Sequence, residues 1–428
     1  GPNDLSSRGL TFFVQDTFQY GNLVANLGLR VERWNHFGTT GENVFSFPLT
    51  WAPRLSAIYD IKGDGLQKFS VYWGRYYDPI RNNMTAFAGT FTGRVLEEQV
   101  WMDAVGEFVN YRTRGGAKQQ DAAFAPTTQT PYTDDLTIGY EIDLGQNKSF
   151  EFVYTNRRTR DILEDYDLSL YGETVDGTTI YPGPLDDPDS LWLGLDYFGF
   201  DENPGSNFII ATLARGKRDG NFLEFNFRKR YSDRWQALAS YVYSDADGNT
   251  NSDSNADFQG DVLYLDPGAP NQFGTQPGLI RHNLKFAATY QFENGLEFGG
   301  FYQWNSGLIL SRTRVASRRH LPAQVNLTGE DNFEFAGIPL GDIVWLSPTS
   351  VGTVDNPSWG QLDVRVQYTA DFGQGMRTQF FVDWFNVTNG QGARKLQDVT
   401  TGQGGIAEGD PLQWVNPTRL FLGVRFMF

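Results

Sequence analysis

From Leu136 to Leu144 the chain reads LTIGYEIDL, with Leu136, Ile138, Tyr140, Ile142 and Leu144 on one side of an extended backbone and Thr137, Gly139, Glu141 and Asp143 on the other. Alternation this complete specifies a strand with one apolar and one polar face. NLVANLGLRVERW repeats it, with Leu23, Ala25, Leu27, Leu29 and Val31 opposite Asn22, Asn26, Arg30 and Glu32. HNLKFAATYQF sets Leu284, Phe286, Ala288, Tyr290 and Phe292 against Asn283, Lys285, Thr289 and Gln291, and QLDVRVQY sets Leu362, Val364, Val366 and Tyr368 against Asp363, Arg365 and Gln367. In a soluble sandwich the polar face of such strands is outside; in a wide membrane barrel it is inside.

The strands come in pairs joined by tight turns at Gly21, Lys62–Gly65, Gly145–Asn147, Ser232–Asp233, Glu293–Asn294 and Gly373–Gly375. Gly, Asn and Asp supply the positive φ that short hairpins need. The alternate connections are long and polar, spanning roughly Asp78–Thr133, Thr159–Lys217, Asp245–Leu279, Ser306–Pro357 and Asn389–Val415. Short turns at one end and long loops at the other is the layout of outer-membrane barrels. Thirteen strands are expected, starting near 10, 22, 53, 66, 134, 147, 218, 233, 280, 295, 358, 375 and 416. The count is odd, so with short turns in the periplasm the first strand enters from outside and the last ends inside. Bacterial single-chain barrels have even counts. At least one further strand upstream is therefore expected, and these thirteen should not close alone.

Composition agrees with this division of faces. Aromatics make up 15% of the 428 residues, yet mean hydropathy is −0.43, so apolar side chains are concentrated on particular faces. No run of about 18 apolar residues offers a transmembrane helix. With 51 acidic against 35 basic residues, a nucleic-acid partner is not expected. The absence of cysteine removes disulfides, thiolate metal sites and thiol nucleophiles.

The chain stops on NPTRLFLGVRFMF, where Leu420, Leu422, Val424, Phe426 and Phe428 share one face. An uncovered apolar strand would be an aggregation hazard in water. Lipid on that face removes the hazard. Inside hydrocarbon every backbone polar group needs a partner within the protein, so this strand is expected to pair with Thr378–Val387 on one side and the barrel's first strand on the other.

Seven segments, in order, resemble the Oar-like branch of the TonB-dependent outer-membrane receptors. They are FFVQDTFQYGNLVANLGLRVERW (Phe12–Trp34), PRLSAIYDIKGDGLQKFSVYWGRYYD (Pro53–Asp78), YTDDLTIGYEIDLGQNKSFEFVYTNRRTRDI (Tyr132–Ile162), RKRYSDRWQALASYVYSDADGNT (Arg228–Thr250), RHNLKFAATYQFENGLEFGGFYQWNSG (Arg281–Gly307), LDVRVQYTADFGQGMRTQFFVDWFNVTNG (Leu362–Gly390) and the terminal strand. The resemblance implies an all-β, antiparallel transmembrane barrel of about twenty-two strands, of which residues 1–428 form the C-terminal portion. It implies a plug and N-terminal domains outside this chain, an energy-coupling partner, TonB, engaged through that region, and the outer membrane of a Gram-negative bacterium. The implied function is import of an unidentified ligand. A surface barrel with an adhesive or structural role, or a passive porin, would share the same strands.

The terminal residues Leu422, Val424, Phe426 and Phe428 are similar to the signal read by the β-barrel assembly machinery. In DADGNTNSDSNAD, the oxygen-bearing Asp245, Asp247, Asn249, Asn251 and Asp253 alternate, which suits calcium. The bidentate Glu of an EF-hand is missing, and a solvated acidic loop explains the same residues. Arg312, Arg314, Arg318 and Arg319 could grip an anionic ligand on a loop or serve as solvated charge. No other cofactor is expected. The inward charges Arg30, Glu32, Glu141, Asp143, Glu151, Glu224, Arg228, Lys285, Glu297, Asp363, Arg365, Asp383, Arg419 and Arg425 mix signs, as the lining of a water-filled wall would. His36, His282 and His320 are not spaced as ligands or as a catalytic set, so no enzyme is expected.

Overall fold

The alternating segments become the strands of one large antiparallel sheet. A computed structural model describes residues 5–428 except 79–84, 87, 90–94, 103–105, 116–121, 168–172, 176–177, 181–197, 202–207, 213–215, 250–272, 312–313, 317–333, 336–337, 340–343, 347–350, 374 and 398–404. Thirteen long strands follow one another in chain order: β1 (Ser6–Tyr20), β2 (Leu23–Phe37), β3 (Thr50–Asp60), β4 (Gln67–Tyr77), β5 (Tyr132–Gly145), β6 (Lys148–Arg160), β7 (Arg218–Ser232), β8 (Trp235–Gly248), β9 (His282–Gln291), β10 (Leu296–Asn305), β11 (Trp359–Asp371), β12 (Arg377–Phe385) and β13 (Arg419–Met427). Each start lies within four residues of its expected position.

Three local expectations need correction. The β7–β8 turn is Asp233–Arg234, with φ of 52° and 70°, one residue beyond the expected Ser232–Asp233. A β-bulge between Lys229 and Ser232 shifts it. β8 runs to Gly248, so Asp245 and Asp247 belong to a strand and not to a loop. Finally, the long connections carry short strands of their own; Asn43–Ser46 folds back on β2, and Leu163–Asp167, Phe208–Thr212 and Ala122–Phe124 make a small separate sheet.

Register fixes which side chains share a face. Phe69, Tyr140, Phe152, Phe225, Tyr241, Leu284 and Trp304 form one continuous row across β4 to β10. Phe286, Tyr302 and Leu362 continue the same face, as do Leu136, Ile138 and Val364. Glu141, Lys285 and Arg365 lie on the other face, as expected. Among the described residues no second layer of protein covers the apolar side, for Phe12, Phe286, Phe298, Phe380, Leu422 and Phe426 are all exposed. That is the inverse of a soluble core, where such side chains are inside.

Among the described residues β1 pairs only with β2 and β13 only with β12, so the sheet is open at two edges. The β12 partner of the terminal strand is Arg377–Phe385, as expected apart from its ends. The rows also climb. Lys148, at the short-turn end of β6, is in register through Lys229, Ala237, Ala288, Gly300, Val364 and Trp384 with Leu420, at the long-loop end of β13. Tilted strands and a staggered register of this kind are what a barrel wall requires.

Candidate functional site

The polar face of the sheet is the surface that a solute would meet, and some of its charges are paired. Arg157 Nε donates to Asp135 Oδ1 at 2.8 Å, and Arg30 Nε donates to Glu32 Oε2 at 2.9 Å. Arg365 donates to Asp383 at 3.2 Å, and Arg377 donates to Asp371 at 3.2 Å. All fourteen charges expected on this face occupy it by register. Arg365 and Asp383 also line a recess of about 590 Å³ with Arg228, Ala287, Gly299 and Asp363.

Arg54, Tyr72 and Tyr76 were not among the expected lining residues, yet they meet on this face. The register Arg54↔Gly74 and Ser56↔Tyr72 brings them together. The alternation within PRLSAIYD and SVYWGRYYD was the available signal. The guanidinium of Arg54 lies 4.6 Å from the Tyr76 ring centroid, and the hydroxyls of Tyr72 and Tyr76 are hydrogen-bonded. Gly74 makes this possible, because a Cβ there would collide with the Tyr72 hydroxyl.

At the long-loop end the connections are clasped to the strands. His36 is 1% exposed. Its Nδ1 lies 3.0 Å from Ser7 Oγ and 3.2 Å from Thr85 Oγ1, and its ring meets Phe47 edge-on. Phe47 in turn packs with Ala88, Ala122, Leu163 and Ile210, a small core built entirely from connections. The outward positions at this height are Arg8, Arg33 and Asn35, so the ring lies beyond the apolar band. Burial pulls its pKa down to about 4. Asparagines do similar work: Asn386 Nδ2 donates to the carbonyls of Gly390 and Asn416, at 3.0 and 2.8 Å, while its Oδ1 accepts from Gly390 N at 3.1 Å. Asn356 Nδ2 donates to Leu308 O at 2.8 Å and its Oδ1 accepts from Leu396 N at 2.9 Å.

The other sequence-derived sites fall as follows. Asp245 accepts from Arg281 at 2.6 Å, and Asn249 Oδ1 accepts from Lys217 N at 2.8 Å. Asn251 and Asp253 lie outside the described residues, as do Arg312, Arg318 and Arg319. Arg314 falls in the short strand Arg314–Ala316. Among the described residues no group of three or more His, Asp or Glu could hold a metal ion. Leu422, Val424 and Phe426 project from the apolar face of β13, and Phe426 is 71% exposed; Phe428 follows the strand and is also exposed.

A family model described as the outer membrane beta barrel domain matches residues 48–404. The chain belongs to the outer membrane beta barrel domain family. Short turns then mark the periplasmic end, long loops the extracellular end, and the polar face the lumen. Among known proteins, the TonB-dependent transporter Oar of Myxococcus xanthus is 23% identical over 428 residues, covering 91% of this chain and 36% of Oar. The ferripyoverdine receptor of Pseudomonas aeruginosa superposes with a TM-score of 0.53 at 12% identity, over 99% of this chain and 39% of the receptor. The FrpB iron transporter from Neisseria meningitidis, F5-1 variant, gives 0.53 at 12% identity, over 99% of this chain and 46% of that one. The chain thus spans less than half the length of these relatives, which are receptors and transporters rather than enzymes.

Proposed function

We propose that the chain is the C-terminal portion of the barrel of a TonB-dependent outer-membrane transporter. The observation that carries this reading is the 23% identity to Oar across 91% of the chain. A partly paired, mixed-charge lumen wall beneath clasped extracellular loops supports it, since a solute path needs a wetted interior and a positioned entrance. On this reading TonB is engaged through segments outside this chain, and the solute passes along the polar face.

The test uses the full-length protein. It should bind the purified periplasmic domain of TonB, and in a planar bilayer it should conduct little until that domain is engaged. A steady open conductance without TonB would identify a passive porin. Absence of both TonB binding and conductance would leave an adhesive or structural surface barrel.

The same reading assigns Leu422, Val424, Phe426 and Phe428 to recognition by the assembly machinery. Phe428→Asp should reduce the heat-modifiable, membrane-inserted fraction of the full-length protein. Near the periplasmic rim the cost of burying a charge in lipid is modest, so a large loss points to recognition. Unchanged insertion of both Phe428→Asp and a deletion of Phe426–Phe428 would remove the assignment.

A further inference from the structure

The lumen wall of β1–β4 holds a recess of about 580 Å³ whose lining includes Phe13, Asn26, Arg54, Ser56, Tyr72 and Tyr76. Its donors outnumber its acceptors. Arg54 has no carboxylate partner among the described residues; Arg30 is bound to Glu32, which is not part of the lining. Of the two bonded phenols, one donates to the other, which leaves the second hydroxyl proton free. Asn26 Oδ1 accepts from Thr17 Oγ1 at 2.7 Å, and its Nδ2 donates to Ser56 Oγ at 3.0 Å, so the Ser56 proton is also free. In a chain with 51 acidic and 35 basic residues, a recess with no carboxylate in its lining is a departure from the average surface.

From this juxtaposition we infer that Arg54, Tyr72, Tyr76 and Ser56 form a lumenal subsite for the oxyanion group of a small organic solute that carries a flat ring. A guanidinium fork matches the two oxygens of a carboxylate or phosphate. The ring of Phe13 and the Arg54–Tyr76 stack supply a flat apolar wall beside it. The recess lies near mid-height of the wall, because Arg54 and Ser56 flank the middle of β3 and Tyr72 is the middle residue of β4. A solute crossing the lumen would meet it halfway. The inference rests on the lumen being a solute path, and it concerns equilibrium binding, which needs no TonB.

The experiment is equilibrium dialysis of the full-length protein in detergent with radiolabelled benzoate, benzamide and inorganic phosphate. Benzoate should bind best, phosphate more weakly for want of a ring, and benzamide least. Arg54→Gln should weaken benzoate by about tenfold or more, as loss of a charged hydrogen-bond partner does. Tyr72→Phe should weaken it about threefold, because a single neutral donor is removed. Arg158→Gln, on the outward face, should leave it unchanged, and heat-modifiability reports that each variant is folded. The subsite is overturned if Arg54→Gln binds benzoate as the wild type does, if benzamide binds as well as benzoate, or if Arg158→Gln loses as much. No benzoate binding by the folded wild type also overturns it, and would mean that the protein's own side chains already fill the recess. Normal TonB engagement beside any of these failures would leave the transport reading standing.

Discussion

The two ends of the barrel wall are tied by different means. At the periplasmic end three of the turns are held by their own sequence: Asp60 accepts from Gly63 N at 2.9 Å and Gly65 N at 2.6 Å, Asp143 from Gly145 N at 2.7 Å, and Asp371 from Gly373 N at 2.9 Å. Gly63, Gly65, Gly145 and Gly373 have positive φ. At the extracellular end the ties reach across the chain. His36 is tied to Thr85, Asn356 to Leu396, and Asn386 to Asn416. Local ties close a hairpin, whereas distant ties hold an entrance in one shape while the loops beyond it vary.

On this contrast the largest effect should follow from Asn386→Ala. The side chain is buried and serves several backbone groups at once, and its φ of 47° is unfavourable for alanine. A loss of ~3 kcal/mol is expected, from orphaned polar groups and backbone strain together. Urea unfolding of the full-length protein in lipid measures it. A loss no greater than that of a periplasmic turn variant would break the contrast.

Acid should loosen the extracellular clasp next. The folded protein holds the His36 proton less tightly than the unfolded chain, whose pKa is near 6.5. Between pH 6.5 and about 4 the unfolded chain therefore binds more protons, so stability is complete above that window and falls as pH drops through it. For this buried ring the shift corresponds to roughly 3 kcal/mol at most. Hydrogen exchange of the Gly89 amide, which donates to Thr85 O at 2.8 Å, should speed up on acidification in the wild type, and His36→Gln should flatten the response. An equal pH response in both would clear His36 of the role.

Asp60→Ala should have the smallest effect, about 1 kcal/mol, because two exposed amides lose a partner that water replaces. The β3–β4 register should survive. A register slip detected by disulfide trapping across the Asn26↔Ser56 and Ser56↔Tyr72 pairs would show that the turn, and not the apolar pattern, sets it.

The same contrast explains what could be read from the sequence. A periplasmic hairpin is written in four or five consecutive residues, and an alternating strand in nine or ten, so strand order, faces and turns were legible. Asp245 and Asp247 do not look like strand in the sequence, because carboxylates at outward positions break the apolar template. The strand continues there because Arg281 neutralises Asp245 and β7 still offers Asn221 and Asp219 as partners. His36 carried no signal, since its partners are distant in the chain, and although Asn386 has a local partner in Gly390, its tie to Asn416 had none. Arg54 and Tyr72 showed on the polar faces of their strands, but only the β3–β4 register makes a recess of them.

The climbing row from Lys148 to Leu420 has a mechanical meaning. A stack of level hoops would confine a pull to one height. A wall threaded like a screw carries a load applied at the foot of β6 obliquely, strand by strand, to the head of β13. Stiffness then depends on direction, and the extracellular entrance is elastically connected to the periplasmic face through the peptide ladder itself.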